Sequence, residues 1–403
     1  MTYHAQAWVL CADGLDGSQK PRLVQEEIAL SDLEENEVLA APIYGCWEGN
    51  MSHAIRSDPL DICRYRGENR VVIGNAGVVR VVKTGSQVRS VKAGQYAMVF
   101  PCGVEDRWGY MKEALGYDAA GRHGMLSTLV KLTTRQLIPI PKNSHYSLAQ
   151  WAAFSVRYVT AWSNWELAYG VFRLQLPLQE CPAPHVWGWG GGTTLAEIDL
   201  AKRFGCQVVM LSGTDRNLDT ISRFGITAID RRRFGNLSFD QRQYRDNPEY
   251  RAQYDKAEEL FLQDVHRATG GEMVQIFLDY VGGPVYRATT KALARESVLA
   301  TAGWKGGLTV THLRAKECIG RHQHVHTHYA RYSQGEQAVQ FAEDTGWMPP
   351  PPERIYKFDQ IPELASDYLD NKTGYFPCYS VNPEMAEAGE LENSPATFAS
   401  ASA

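Results

Sequence analysis

The sequence has no pair of cysteines in CxxC spacing, no apolar run of membrane-spanning length, no charged and hydrophobic leader at its N-terminus and no long run of basic residues. Each absence removes a class of protein. Its eight cysteines (Cys11, Cys46, Cys63, Cys102, Cys181, Cys206, Cys318 and Cys378) are scattered. A disulfide scaffold is not expected at this length and a structural zinc lobe has no ligand set, so the cysteines read as packing residues in a reducing, cytoplasmic setting. Without a span or a leader, no membrane partner is expected. A formal net charge of −5 without a basic tract argues against nucleic acid as the main partner. What is present is ordinary for a soluble chain: 403 residues, 44% hydrophobic and 22% charged, enough for two or three domains with substantial cores.

The most informative stretch runs from His185 to Thr214 and reads as strand, glycine turn, helix, strand, loop. His185 to Trp187 is a short apolar entry, and Gly188, Gly190, Gly191 and Gly192 make the turn. Leu195, Ile198, Leu200 and Ala201 have helical spacing, and Gln207 to Leu211 is an apolar β-run. Such a βαβ unit brings a dinucleotide pyrophosphate against backbone amides at a helix N-terminus. The turn is not a strict GxGxxG: Trp189 interrupts it, and Thr193 holds the last glycine position. A bulky Trp189 in the turn is expected to narrow the space over the pyrophosphate. At the end of the second strand stand Leu211 and Ser212, with Gly213, Thr214 and Arg216 beyond, where an NAD site usually places an acidic side chain. Small hydroxyls and a cation suit a ribose 2′-phosphate, hence NADPH; Asp215 is the contrary sign.

Residues 5 to 140 show short strands with turn signals between them, which suggests a compact barrel-like domain. Gly103 to Gly124 reads as an irregular aromatic loop over a cleft. Ser147 to Tyr169 is helical in pattern, and Asp219 to Phe224 is a further helix closed by Gly225. Arg231 to Asp255 is rich in polar residues and reads as an inserted, solvent-facing excursion. Lys256 to Thr269 is expected as a helix, Val274 to Asp279 as a strand, Val285 to Leu293 as a helix and Ser297 to Ala302 as a strand. The loops at the ends of these two strands, with Val281, Gly303 and Trp304, are expected beside the cofactor. Pro349 to Pro352 reads as a stiff connector, and Glu384 to Ala403 as a disordered tail.

Several segments together resemble the medium-chain dehydrogenase/reductase superfamily: Val72 to Val79, Gly94 to Val99, Val159 to Trp162, the glycine turn and Leu278 to Pro284. The resemblance covers roughly residues 5 to 382 and implies an α/β fold, with a GroES-like β-barrel domain and a Rossmann doubly wound parallel-sheet domain. It divides the chain into 1–150 (GroES-like, first part), 151–325 (Rossmann), 326–382 (return to the catalytic domain) and a tail at 383–403. In the zinc alcohol dehydrogenases of this superfamily a Gly-His-Glu triplet supplies a metal ligand. Here Gly74, Asn75 and Ala76 stand in its place, and Cys46 alone matches a ligand position, so no metal is expected. Within the superfamily the chain looks most like the crotonyl-CoA carboxylase/reductase branch. The carrying features are Gly116 to Gly121, Val186 to Gly188, the insertion after Asp230 and the His-rich segment His322 to His328.

That resemblance implies NADPH-dependent reduction of a 2-enoyl thioester on CoA or an acyl carrier protein, with carbon dioxide capture in the carboxylating members, and a homodimer or homotetramer. The branch's carbon dioxide pocket maps onto Asn50, onto Tyr117 and Asp118 (Asp standing for Glu), and onto His322 or His328. The shorter Asp118 puts carboxylation in doubt more than reduction. Thr160 lies where this superfamily faces the nicotinamide, or else it bonds its own helix. Tyr158 either supplies a proton or packs in a core. Arg231, Arg232 and Arg233 read as a surface run or as partners of phosphate on CoA or a carrier arm. Two other functions stay open: a quinone or enone reductase on free small molecules, and a non-catalytic NADPH-binding protein.

Overall fold

The computed structural model describes residues 2–386 except 16, 18, 19, 304, 305 and 328. The chain forms two compact units; the first runs to Val159 and resumes at Arg331, and the second is Thr160–Ala330. No helix among the described residues is long and apolar enough to cross a membrane.

The first unit opens with β1 (Tyr3–Cys11), β2 (Arg22–Leu30) and β3 (Glu37–Cys46), then the short helices α1 (Gly49–Arg56) and α2 (Ile62–Arg66). It continues with β4 (Arg70–Val72), β5 (Gly77–Thr84), β6 (Tyr96–Val99), β7 (Cys102–Glu105), β8 (Met111–Ala114), β9 (Val130–Thr133) and β10 (Leu137–Pro139). Helix α3 (Leu148–Phe154) follows, and α4 (Arg157–Gln175) carries the chain into the second unit. The second unit then runs β11 (His185–Trp189), α5 (Gly192–Arg203), β12 (Gln207–Ser212), α6 (Asp215–Arg223), β13 (Thr227–Asp230), α7 (Gln241–Asp246), α8 (Pro248–Ala268), β14 (Val274–Asp279), α9 (Gly283–Ala292), β15 (Leu293–Thr301) and β16 (His324–Thr327). The chain returns to the first unit with α10 (Tyr332–Thr345), β17 (Ile355–Tyr356), α11 (Ile361–Leu369) and β18 (Cys378–Ser380).

In the first unit, β1 alternates buried Ala5, Ala7 and Val9 with outward His4 and Gln6, the period-2 pattern of a half-buried strand. It pairs antiparallel with β2 and β4. The larger sheet runs β10-β6-β5-β3-β18-β17, with β9 also on β3. Valines and alanines of β3, β5 and β6, among them Val38, Ala40, Val79, Val81, Ala97 and Val99, share one core with Leu132. Each large aliphatic side chain removed from water there stabilises by about 1.5–3 kcal/mol.

The second unit holds a six-stranded sheet in the order β13-β12-β11-β14-β15-β16, every pair parallel. All six residues of β14 (Val274 to Asp279) are buried, as a central strand covered on both faces requires.

Several expectations change. The loop expected over Gly103 to Gly124 contains the antiparallel hairpin β7–β8, with Leu115, Tyr117 and Ala119 buried after it. The excursion expected over Arg231 to Asp255 is a 3₁₀ turn at Arg231–Phe234, then α7 and the start of α8. Its polar residues face outward, while Phe234, Leu237 and Tyr254 anchor it. Asn247 caps α8 by accepting from Glu249 and Tyr250 N–H at 3.1 Å each, with Pro248 in the first turn. Helix α6 begins at Asp215, four residues before the expected Asp219, so Arg216 stands in its first turn. Glu384 and Met385, expected in a tail, lie instead in a 3₁₀ turn, Pro383–Met385, whose Met385 carbonyl accepts from Arg80 Nη1 and Tyr96 Oη at 3.2 and 3.1 Å. Residues 387–403 lie outside the described residues.

Candidate functional site

Strand order reverses between β11 and β14, one leading outward to β12 and β13, the other to β15 and β16. Connections leaving their C-terminal ends diverge and open a crevice there. The glycine turn lies at this point. Trp189 ends β11 opposite Asp279 of β14, and α5 begins at Gly192 with Gly191 as its N-cap. Gly190 holds φ +155°, and a Cβ on it would fall 2.1 Å from Thr194 Oγ1 and 2.9 Å from Tyr280 Cβ, so only glycine fits. A Cβ on Gly188 would lie 2.9 Å from the Leu278 carbonyl oxygen, whereas Gly191 has open space around it. Gly191 makes no side-chain cap to α5. The first N–H groups of that helix, at the positive end of its dipole, are thus left to an anion.

Trp189 is not over this turn. It is the last strand residue, 3% exposed, stacked on Phe261 of α8 at 5.2 Å and tilted against Phe277 at 5.1 Å. Strand alternation puts it on the face of Trp187, in the core beneath α8. The expected narrowing of the pyrophosphate space is therefore corrected.

At the end of β12, Ser212 is buried, Gly213 follows, Thr214 is the N-cap of α6, and Arg216 is exposed in the next turn. Asp215 is ion-paired with Arg232, which also meets Asp230 at 2.8 Å. The arginine run divides: Arg232 joins these two aspartates, Arg233 pairs with Asp264, and Arg231 lies against Gly213, whose Cβ would fall 2.8 Å from Arg231 Nε. Sequence reasoning missed Arg231 as a neighbour of the β12 end, because three consecutive arginines do not disclose which one turns inward.

After β14, buried Asp279 accepts from Val281 N–H at 3.0 Å and Gly282 N–H at 2.8 Å through Oδ1, and from the Thr289 hydroxyl at 2.8 Å through Oδ2. Burial pushes its pKa up, and these hydrogen bonds act against that. Val281 is thereby fixed at the crevice. Gly303 follows β15 with φ +73° in open space; Trp304 lies outside the described residues.

Three polar side chains absent from the sequence expectations meet at the same edge. Tyr280 Oη donates to Glu197 Oε2 at 2.7 Å and accepts from Asn164 Nδ2 at 2.8 Å. Glu197 and Asn164 are fully buried. Burial raises the Glu197 carboxyl to about 8, against the lowering effect of the Tyr280 and Asn164 hydrogen bonds. The legible signal was a pair of carboxylates, Glu197 and Asp199, inside the otherwise apolar run Leu195 to Ala201. Thr160 stands one turn before Asn164 on α4, half-buried, and its carbonyl accepts from the Ser163 hydroxyl at 3.1 Å.

His322 is a correction. It precedes β16 with φ +52°, and its Nδ1 lies 2.7 Å from Glu296 Oε1. Since His324 pairs with Val298 in a parallel ladder, His322 sits at the N-terminal edge of the sheet, opposite the glycine turn. His328 lies outside the described residues.

In the first unit, Asn50 is half-buried on α1, and its Oδ1 is buried with no hydrogen-bond partner among the described residues. Tyr117 is buried after β8, and its carbonyl accepts from Arg66 Nη1 at 3.2 Å. Asp118 Oδ1 accepts from Ala114 N–H at 2.6 Å, closing the turn. Tyr158 is buried among Phe154, Trp347 and Phe376, with ring centroids 4.9, 4.7 and 5.9 Å away. That is a packing position.

Cys46 is buried beside Arg157, whose Nη1 donates to its Sγ at 2.5 Å and lies 2.6 Å from Glu48 Oε1. Arg157 Nη2 donates to the Trp47 carbonyl at 2.6 Å. Burial raises the Glu48 carboxyl to about 7, opposed by Arg157. Ala76 carbonyl accepts from Cys46 N–H at 3.2 Å, which brings the Gly74-to-Ala76 segment alongside. Among the described residues no group of three His, Cys, Asp or Glu side chains is placed to hold a metal ion.

No family model and no curated protein matches the sequence. Solved structures do resemble it. A crotonyl-CoA carboxylase/reductase has 19% identity and a TM-score of 0.74, covering 99% of this chain and 94% of its own. The 2-octenoyl-CoA carboxylase reductase CinF, solved with NADP and 2-octenoyl-CoA, has 18% identity and a TM-score of 0.76, covering 94% and 88%. An NAD-dependent alcohol dehydrogenase has 20% identity and a TM-score of 0.68, covering 93% and 99%. The chain thus shares the fold of these carboxylase/reductases and alcohol dehydrogenases, with a GroES-like β-barrel unit and a Rossmann parallel-sheet unit.

Proposed function

We propose that the chain is an NADPH-dependent reductase of a 2-enoyl thioester carried on CoA or on an acyl carrier protein. The observation that carries the reading is the switch-point edge of the parallel sheet. There a Cβ at Gly190 would strike Thr194, and the α5 N-terminus is left uncapped by side chains. At the neighbouring β12 end Asp215 is engaged by Arg232, with Arg216 and Arg231 close in the fold or sequence to Ser212 and Gly213. A pyrophosphate suits the first feature and a ribose 2′-phosphate the second.

In this reading Gly188, Gly190, Gly191 and Gly192 let the backbone approach the pyrophosphate. Ser212, Gly213, Thr214, Arg216 and Arg231 receive the adenosine end. Thr160, Val281 and Gly303 border the nicotinamide. A bound reduced nicotinamide would supply a hydride to the substrate β-carbon, leaving an enolate. The α-carbon would then take a proton from water, giving a saturated thioester. The thioester half is supported by likeness to the carboxylase/reductases, one of them solved with 2-octenoyl-CoA. Asp118 already closes a turn and His322 is held by Glu296, which favours protonation over carbon dioxide capture. A homodimer or homotetramer is the assembly this reading carries.

The test follows NADPH oxidation by absorbance with crotonyl-CoA, longer 2-enoyl-CoAs and carrier-bound enoyl thioesters, with and without bicarbonate. Turnover without bicarbonate, yielding the saturated acyl thioester, is expected. Turnover on free enones or quinones but on no thioester replaces this reading with a quinone or enone reductase. NADPH binding without turnover on any substrate makes the protein a non-catalytic binder.

A further inference from the structure

The glycine turn is backed by polar groups that the proposed reduction does not use. Tyr280 is the first residue after β14, and its Cβ lies 2.9 Å from where a Gly190 side chain would begin. It is therefore one wall of the turn. Its phenol is held from two directions, by the Glu197 carboxyl of α5 at 2.7 Å and the Asn164 amide of α4 at 2.8 Å. Asn164 Nδ2 also lies 3.3 and 3.4 Å from the two carboxyl oxygens. A single buried node thus ties the helix carrying Thr160, the helix behind the glycine turn and the loop carrying Val281.

Nothing in the packing requires a carboxyl there. Leu195, Ala196, Ile198, Leu200 and Ala201, all apolar, are buried around it on α5. Two more buried polar atoms flank the node, Asn164 Oδ1 and Thr194 Oγ1, and neither has a hydrogen-bond partner among the described residues. Buried polar groups are normally satisfied, so exceptions at a ligand crevice point to a use there. The groups acting on the Glu197 carboxyl are the Tyr280 phenol from the loop after β14 and the Asn164 amide from α4. On α5 itself, Asp199 pairs with Arg203. No charged side chain among the described residues acts on Glu197, whose carboxyl burial holds up to about 8.

We propose that Glu197 is a positioning residue of the dinucleotide site: acting through Tyr280 and Asn164, its carboxyl sets the wall of the glycine turn that receives the pyrophosphate. This rests on the NADPH reading above. Ionisation places a negative charge beneath an anionic ligand and breaks the balance of the node.

The experiment is titration of the full chain with NADPH, followed by fluorescence between pH 7 and pH 9, above the range where a phosphate monoester titrates. Wild-type affinity is expected to fall as pH rises through about 8. Glu197→Gln keeps the acceptor for Tyr280 and removes the ionisation; it is expected to match wild type at pH 7 and to stay flat to pH 9. Tyr280→Phe removes the tie and is expected to weaken binding roughly fivefold to a hundredfold at pH 7, the range for an orphaned buried partner. Tight wild-type binding that is flat with pH, or an unchanged pH dependence in Glu197→Gln, overturns this inference alone. Failure of the wild type to bind NADPH at any pH overturns the functional reading and this one with it.

Discussion

The Arg157 guanidinium donates to the Cys46 thiol at 2.5 Å while holding the Glu48 carboxylate at 2.6 Å, all three side chains buried in the first unit. The family resemblance implies a zinc-ligand position at Cys46 alone. The structure shows that its sulfur already has a cationic neighbour. Arginine suits this role because its planar fork serves Cys46, Glu48 and the Trp47 carbonyl at once.

Removing one partner of such a pair is costly. Arg157→Met leaves Glu48 buried without its counter-ion, and the expected loss of stability is about 3–5 kcal/mol. The loss grows with pH. Burial already raises Glu48 to about 7; without Arg157 it rises further, so the folded state holds its proton across a wider window while the unfolded chain releases it. Thermal unfolding at pH 6 and pH 8 checks both points. Arg157→Met with Glu48→Gln is expected to recover much of the loss, and equal Tm deficits at the two pH values count against the coupling.

The glycine turn and the parallel-sheet alternation were legible because they rest on local signals: glycine where backbone must come close, apolar runs where both sheet faces are covered. Trp189 was misread because a residue between glycines looks like part of the turn. Only the register of β11 against β14, with Trp189 opposite Asp279, makes it the last strand residue. The stretch from Arg231 to Asp255 was misread on composition, although Asn247 followed by Pro248 is itself a helix-start signal. His322 looked like part of a His-rich segment, but its pairing with Glu296 is a cross-strand fact. Glu197, Tyr280 and Asn164 come from three separate elements, so no spacing announces them.

The position of Trp189 makes a second prediction. Its ring is core, against Phe261 and Phe277. Trp189→Ala is expected to destabilise the second unit by about 3–5 kcal/mol, the range for deleting a large buried aromatic. Trp189→Phe is expected to cost less and to leave NADPH affinity unchanged. Thermal unfolding with a parallel NADPH titration checks this, and a variant that folds as wild type but binds NADPH more tightly would restore the ring to the turn.

If the chain binds NADPH as proposed, its preference over NADH is expected to depend on the β12 end. Arg231 lies beside Gly213, and Arg232 takes up Asp215. Arg231→Ala is expected to weaken NADPH binding by about 1.5–3 kcal/mol, the range for a hydrogen bond to a charged group, while leaving NADH binding little changed. Arg232→Ala also lowers the NADPH preference, because it releases the Asp215 carboxylate next to the phosphate. Dissociation constants for both nucleotides, measured at one salt concentration, give the ratio; equal losses for NADPH and NADH would remove Arg231 from 2′-phosphate recognition.

Glu197 also predicts how stability follows pH, independently of any ligand. Burial holds its carboxyl up to about 8 in the folded chain, well above the ordinary carboxylate range that it keeps in the unfolded chain. Below the lower value both states are protonated and burial costs no ionisation. Between the two, the unfolded chain gives up the proton and the folded chain keeps it, so unfolding is favoured increasingly as pH rises. Above the upper value both states are ionised and the slope ends. The stability contribution is therefore complete in acid and lost as pH rises through the folded value, with a total on the order of 5 kcal/mol from the linkage relation. Asp279 shifts in the same direction, so the wild-type profile alone does not isolate Glu197. The difference between wild type and Glu197→Gln does. That difference is expected to favour the variant progressively from pH 5 to pH 8 in denaturant titrations, and a difference constant across this range would mean that Glu197 is ionised in the folded protein.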